Sequence, residues 1–444
     1  MLSALFSRLA TLSPFLRRSG ASFALRFAGL ALQLGASILI ARVLGVEGFG
    51  VYSYAFVVAL LIATLHGAGF GFLAVRELPV YLVRREFGHV RGYLRTWGGL
   101  LAISTALSVV AVLGLTAAGV LHLQIAWPLV LLAAIAQALI LGMSAVLNGL
   151  QRVIHSQFIE TVLRQGLFVA LLLGLVASGL VMTPTTVFAL SLAVSGAVLL
   201  CLLWYVRRCL AAETGPVLPP PAYATRPWVL AGVSLMAIGI LNLLQTSLDI
   251  LMLGALADHA DLGRYRAASR GVDTIIIANG IALQLLEPIL ARAIGQKDTA
   301  GAQAMISSSV MVSVALSAAI ALPLGFGASI YLGLFGPDFV AAAPVMQILV
   351  LGNMLAFLCG PVAVILVMQG HERLVLGTAI CTLALNAGLN LLLIPLWGIL
   401  GAATATATSV VVFKLALLVA VRVLTPFDPT LWTPLRQRLR SWRG

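Results

Sequence analysis

The sequence predicts an all-α polytopic membrane protein, with about twelve transmembrane helices in two pseudo-symmetric six-helix bundles around a central cavity. Three observations lead there. Of 444 residues, 61% are hydrophobic and 9% charged, whereas soluble domains carry roughly a quarter charged residues. Apolar runs of about twenty residues, enough to cross a bilayer core, recur along the whole chain. Those runs fall into two sets, divided by a proline-rich segment.

The first set lies near Ser22–Val43, Gly50–Leu73, Thr96–Val120, Ile125–Leu147, Phe158–Val181 and Pro184–Val206. The second lies near Val229–Leu256, Gly271–Ala291, Ala304–Phe326, Val340–Val367, Leu374–Ile394 and Ile399–Val421. Between them Pro216, Pro219, Pro220, Pro221 and Pro227 sit among polar residues, an extended and semi-rigid composition. The expected organisation is an N-terminal bundle over 1–206, a linker over 207–228, a C-terminal bundle over 229–422 and a basic tail over 423–444. Met1–Gly20 reads as the basic flank of a retained first span, because no small-residue cleavage site follows a short apolar core.

Charge sets the orientation. With the N-terminus inside, the inside segments hold Arg8, Arg17, Arg18, Arg76, Arg84, Arg85, Arg91, Arg95, Arg152, Arg207, Arg208, Arg226, Arg292, Lys297 and Arg373. The tail adds Arg422, Arg436, Arg438, Arg440 and Arg443. The outside segments hold Arg264 and Arg266, with Arg42 and Arg270 at their edges. Positive charge concentrates on the cytoplasmic side of membrane proteins, so both termini are expected inside. The net charge of +13 then reflects topology and anionic lipid. Nucleic-acid binding is excluded, since no basic module interleaved with aromatics is present. Cys201, Cys209, Cys359 and Cys381 form no CxxC pair, so neither a disulfide framework nor a metal site is expected. They read as small buried hydrophobes. No cofactor is implied.

The two halves look related. Gly50-Val51-Tyr52-Ser53-Tyr54-Ala55 and Gly263-Arg264-Tyr265-Arg266-Ala267-Ala268 share G-x-Y-x-x-A. Gly149-Leu150-Gln151-Arg152 and Gly370-His371-Glu372-Arg373 share G-x-x-R, in the same order and at nearly the same offset. A duplicated six-span unit places a transport site between its copies.

Three stretches carry a family resemblance. Leu39-Ile40-Ala41-Arg42-Val43-Leu44-Gly45-Val46-Glu47-Gly48-Phe49-Gly50-Val51-Tyr52 is similar to the opening signature of the polysaccharide-transport branch of the multidrug/oligosaccharidyl-lipid/polysaccharide (MOP) exporter superfamily. Phe335-Gly336-Pro337-Asp338-Phe339 and the run from Leu389-Asn390 through Ile394-Pro395 to Gly401-Ala402-Ala403 resemble its later signatures. The resemblance implies two six-helix bundles that expose a cavity alternately to either side. It also implies flipping of polyprenyl-pyrophosphate-linked oligosaccharide across a bacterial inner membrane. The implied partners are that substrate, membrane lipids and polysaccharide polymerase or export machinery, and a monomer is expected. Lipid II flippases of the superfamily usually carry more spans, and the drug-exporting branch has motifs not present here.

A flippase needs hydrogen-bonding groups for sugars and a cation for the pyrophosphate. Arg26, Gln33 and Ser37 share one face of the first span. Arg26 there meets a pyrophosphate or snorkels to inner headgroups. In the seventh span Asn242, Gln245, Thr246 and Asp249 form a stripe at helical spacing. In the eighth, Asp273, Gly280, Gln284 and Glu287 lie within one face. Asp249 and Asp273 either couple transport to an ion gradient or form a structural ion pair with Arg270. Glu160 and Arg164, spaced i,i+4, read as a structural pair. Thr378, Thr382, Asn386 and Asn390 recur every fourth residue, to meet sugars or a neighbouring helix. No HExxH, Walker or GxSxG sequence is present, so no catalytic residue is assigned. Gly67-Ala68-Gly69-Phe70-Gly71 reads as helix packing. The alternatives are a cation-coupled small-molecule or drug exporter on the same fold, a membrane glycosyltransferase or polymerase, and a non-transporting scaffold.

Overall fold

The computed structural model describes residues 14–118, 124–215, 219–296 and 298–430, without the side chains of residues 14–21, 23, 68, 281–289, 291 and 293–295. Arg8, Arg17, Arg18, Gln284, Glu287, Lys297 and the tail arginines Arg436, Arg438, Arg440 and Arg443 lie outside the described residues or side chains.

Lipid offers no hydrogen bonds, so backbone groups must satisfy one another within helices. Among the described residues every regular element is helical. The first helix, α1 (Pro14–Leu65), leaves helical geometry at Gly45, where φ is 71°. Its apolar stretch of 42 residues, Ala24–Leu65, would be about 63 Å long if straight, against a bilayer core of ~30 Å. Gly45 divides it into two limbs. There follow α2 (Ala68–Val83), α3 (Phe87–Ala117), α4 (Trp127–Gly149), α5 (Val153–Ala177), α6 (Pro184–Thr214) and α7 (Thr225–Leu256). The later helices are α8 (His259–Gly295), α9 (Thr299–Phe326), α10 (Ala328–Gly333), α11 (Ala343–Leu358), α12 (Val362–Met368), α13 (Glu372–Trp397) and α14 (Ile399–Leu424). A 3₁₀ turn, Pro337–Ala342, precedes α11.

Ten helices are long and apolar enough to cross a membrane among the described residues. Splitting α1 into two limbs and adding the more polar α8, which has 37 residues, gives the expected count of about twelve spans. Boundaries differ from expectation where glycine or proline intervenes. The second span breaks at Gly67 (φ 131°) and resumes as α2. The tenth breaks at Gly360 (φ 71°), between α11 and α12.

The chain forms two compact units. One comprises Met1–Leu44 and Val51–Leu244; the other comprises Gly45–Gly50 and Gln245–Gly444. This corrects the expected linker and domain boundaries. Residues 207–214 continue α6, and α7 starts at Thr225 with Pro227 in its first turn, where proline costs no hydrogen bond. The extended part is fastened to the N-terminal unit. Ala222 N–H donates to Gly88 O at 2.9 Å, and Arg91 donates to Pro219 O at 3.1 Å. The start of α7 is fastened there too, by Trp228 Nε1 donating to Tyr81 Oη at 2.9 Å. A Cβ on Gly69 would stand 1.9 Å from Gly232 O, so α2 and α7 cross backbone to backbone. The glycine run at 67–71 therefore both breaks and packs helices. The unit boundary consequently falls within α7.

The repeated motifs have structural meaning. Within the C-terminal unit, a Cβ on Gly50 would lie 1.8 Å from His259 O, and one on Gly263 would lie 2.0 Å from Val46 O. The two glycines of the duplicated G-x-Y-x-x-A thus form the floor of one close backbone contact. The G-x-x-R motifs mark two helix ends. At each, a left-handed residue, Gln151 (φ 60°) or Gly370 (φ 82°), follows the helix. The next N–H reaches back five residues, Arg152 to Leu147 O and His371 to Leu366 O, both at 2.9 Å. This is the glycine-favouring Schellman stop. The structural correspondence pairs Gln151 with Gly370, two positions away from the sequence match.

Of the four free cysteines, Cys209 and Cys359 are buried as expected, Cys201 is half-buried, and Cys381 is exposed.

Two substitutions separate these glycine roles. Gly370→Ala meets nothing within 4 Å, so only the left-handed backbone penalises it, and thermal melts should show a loss of about 1 kcal/mol. Gly50→Ala places a Cβ against backbone that cannot rotate away, and it should abolish the folded, monodisperse species on size exclusion.

Candidate functional site

Among the polar groups buried in each unit, one cluster combines a charged side chain with several hydrogen-bonding neighbours. In the C-terminal unit the site is a chain of side chains across four helices. Asp249, on α7, is buried and accepts hydrogen bonds from the Tyr265 hydroxyl of α8 and from Ile250 N–H at 2.9 Å. The Thr406 hydroxyl of α14 neighbours Tyr265. Asn386 of α13 donates to Thr406 at 3.5 Å and accepts from Asn390 Nδ2 at 3.0 Å. Asn390 is fully buried, and its Oδ1 has no hydrogen-bond partner. The site therefore joins a carboxylate, two carboxamides and two hydroxyls, with the donors spent within the chain and one amide oxygen, Asn390 Oδ1, left without a partner.

Beside it on α8 lies a charged cluster. Asp273 Oδ2 is 3.6 Å from Arg270 and 3.8 Å from Arg266. Asp249 and Asp273, weighed together from sequence, thus differ in their direct partners, although Arg266 and Asp273 are near enough to act on Asp249 through their charges. Asp273 is in the ion pair anticipated for Arg270, while Asp249 is held by a phenol and a backbone amide.

In the N-terminal unit the site is built on a defect in α5. Phe158–Leu163 is π-helical, a bulge found often at functional positions. The i,i+4 pair expected between Glu160 and Arg164 makes no close ion-pair contact across the wider turn, although the two charges still attract one another. Glu160 also neighbours Ser144 of α4. Arg164 donates to Ser195 Oγ of α6 at 3.3 Å. Arg164 lines a cavity of about 20 Å³ with Gln137, Ser191 and Ser195, walled by Phe56, Leu60 and Phe188. Tyr52 stacks on Phe56, meets Phe188 edge-on and lies close to Arg164. The repeated tyrosines, Tyr52 and Tyr265, therefore stand beside the polar sites of their respective units.

The remaining sequence candidates distribute as follows. Ser22, Arg26, Gly29 and Gln33 share one face of α1 by spacing. That face meets α5: Ser22 Oγ donates to Gln157 Oε1 at 2.5 Å, and Gly29 abuts Thr161. Arg26 and Gln33 are half-buried. Ser37 donates to Gln33 O at 2.9 Å. Asn242 and Gln245 are exposed on α7. Sequence reasoning gave no functional weight to Tyr265, Thr406, Gln137 or Arg164. The repeat pointed to the two tyrosines, but nothing in the sequence marked the threonine, the glutamine or the π-helical turn. Among the described residues no cluster of three or more His, Cys, Asp or Glu could hold a metal ion.

The family described as "Polysaccharide biosynthesis protein" matches residues 15–294, more than half of the chain. The chain belongs to that family. Solved structures of MOP superfamily transporters share the fold of this chain. It superposes on an inward-facing multidrug resistance MATE transporter of the MOP superfamily with a TM-score of 0.67 at 12% identity, covering 91% of this chain and 97% of that one. Against the lipid II flippase MurJ in its inward closed conformation, the TM-score is 0.68 at 13% identity, covering 90% and 87%. A MOP superfamily transporter from Pyrococcus furiosus, described as having a binding pocket of reverse polarity, gives 0.56 at 12%, covering 92% and 94%. No curated protein sequence matches the chain.

Tyr265→Phe removes one hydroxyl and leaves the Asp249 carboxylate buried without that donor. It should destabilise the protein by about 1–3 kcal/mol in thermal or denaturant unfolding, while Thr408→Val, at an exposed position on the same α14, should leave stability within ~0.5 kcal/mol.

Proposed function

We propose that this protein flips polyprenyl-pyrophosphate-linked oligosaccharide across a bacterial inner membrane by alternating access, with both termini cytoplasmic. The observation that carries this reading is the family match across residues 15–294, on a multi-pass helical chain with ten apolar membrane-length helices among the described residues. The arginine-rich segments on one side of the topology support the orientation. Arg26 on the α5-facing side of α1, with Gln33, is the proposed contact for the pyrophosphate and first sugars. Asn242, Gln245 and Arg270 remain further contact candidates.

The Asp249 site supports coupling to a cation or proton. A carboxylate within a span costs roughly 2.5–3.5 kcal/mol on insertion scales. A cation shared between Asp249, Asn386 and Asn390 Oδ1 would offset that cost and satisfy the buried amide oxygen. In this reading Asp273 is structural, because two guanidiniums already flank it.

Deleting the gene in its host should leave the lipid-linked intermediate on the cytoplasmic leaflet, as read by enzymatic accessibility in sealed vesicles. Wild-type protein should restore its movement. Arg26→Ala, at equal expression, should not. Asp249→Asn should lower the rate at least about tenfold and remove its dependence on the ion gradient. Unchanged sidedness in the deletion would overturn the flippase reading in favour of a cation-coupled small-molecule exporter.

A further inference from the structure

We propose that Arg164 and Gln137 form a halide-binding site within the N-terminal unit, near the middle of α5. The argument begins with hydrogen-bond donors. A guanidinium carries five N–H donors. Arg164 uses one of them, on Ser195 Oγ, at a long 3.3 Å. Gln137 lines the same cavity, and its amide makes no hydrogen bond to protein among the described residues.

The serines do not supply the missing balance. Ser195 Oγ–H is already donated to Ser191 O at 2.7 Å, and Ser191 Oγ–H to Phe188 O at 2.7 Å. Their free lone pairs can accept from Arg164, but they bring no negative charge. The nearest carboxylate, Glu160, acts on Arg164 through its charge but makes no ion-pair contact with it, and it is itself partly buried. A cation at mid-span is costly unless it meets an opposite charge. Arg164 and Gln137 line a cavity with about 20 Å³ of space, the scale of one small particle. A pyrophosphate or a sugar ring does not fit there; a monatomic anion such as chloride, only slightly larger than water, is the anion nearest in size. Phe56 and Phe188 supply apolar walls, which a weakly hydrated halide tolerates better than a strongly hydrated anion. The site lies apart from Asp249 and does not rest on the flippase reading.

The test uses the purified full-length protein in nanodiscs of zwitterionic lipid. Its melting temperature is followed at constant ionic strength while chloride, or bromide, replaces methanesulfonate. A ligand that binds the native state raises the melting temperature saturably. Wild-type protein should show that rise. Arg164→Gln should raise the half-saturating halide concentration about tenfold or more, as expected for losing a charge-assisted hydrogen bond. Glu160→Gln should lower it, because a nearby negative charge disappears. Gln137→Leu keeps the guanidinium and removes the second donor; it should weaken the response, and it decides the matter if Arg164→Gln does not fold. Identical halide curves for wild-type protein, Arg164→Gln and Gln137→Leu would overturn the proposal and leave the cavity to water.

Discussion

Hydrocarbon gives a polar group no partner, and the rest of this structure follows from that constraint. The backbone meets it by hydrogen bonding within helices. Side chains meet it either by being apolar or by finding one another. With only 9% of residues charged, most of each bundle takes the first route. Small hydroxyls within the spans take a local one: Ser37, Thr64, Thr382 and Ser409 all donate to the carbonyl four residues earlier. Longer polar side chains are fewer, and in each unit several of them gather around one charged group.

The two gatherings are built differently. In the C-terminal unit, Asp249, Tyr265, Thr406, Asn386 and Asn390 come from four helices and form a nearly continuous hydrogen-bonded string. In the N-terminal unit, one guanidinium stands at a π-helical turn beside a small cavity. Each unit has a tyrosine at the same motif position, Tyr52 or Tyr265, but the charged group beside it is a guanidinium in one and a carboxylate in the other.

Glycine sets where the helices can approach and where they must stop. Gly50 and Gly263 allow a backbone contact that no side chain would permit, and Gly69 does the same for α2 against α7. Gly45, Gly67, Gly360 and Gly370 instead take positive φ where one helix stops or bends and the next begins. Two comparable turns place Arg85 (φ 57°) and Gln151 (φ 60°) in the same region. There the chain accepts a backbone cost of about 1 kcal/mol.

The sequence by itself determined the membrane class and the span count of about twelve. Each rests on local composition or spacing, which lipid enforces residue by residue. It also placed Asp249, Asn386 and Asn390 among the polar residues worth weighing, because a polar side chain in an apolar run is conspicuous. It could not show that these three belong to one site, since their helices are far apart in the chain and Tyr265 and Thr406 join them only after packing. It paired Glu160 with Arg164 at i,i+4; their charges do attract, but without close contact, because that rule assumes α-helical geometry and nothing in Phe158–Leu163 announces a π-helical turn. It set the domain boundary at the prolines, where composition changes, although Trp228 and Gly232 hold the first half of α7 to the N-terminal unit. Composition and spacing fix what each segment must be in lipid; only the packing of helices decides which polar groups meet.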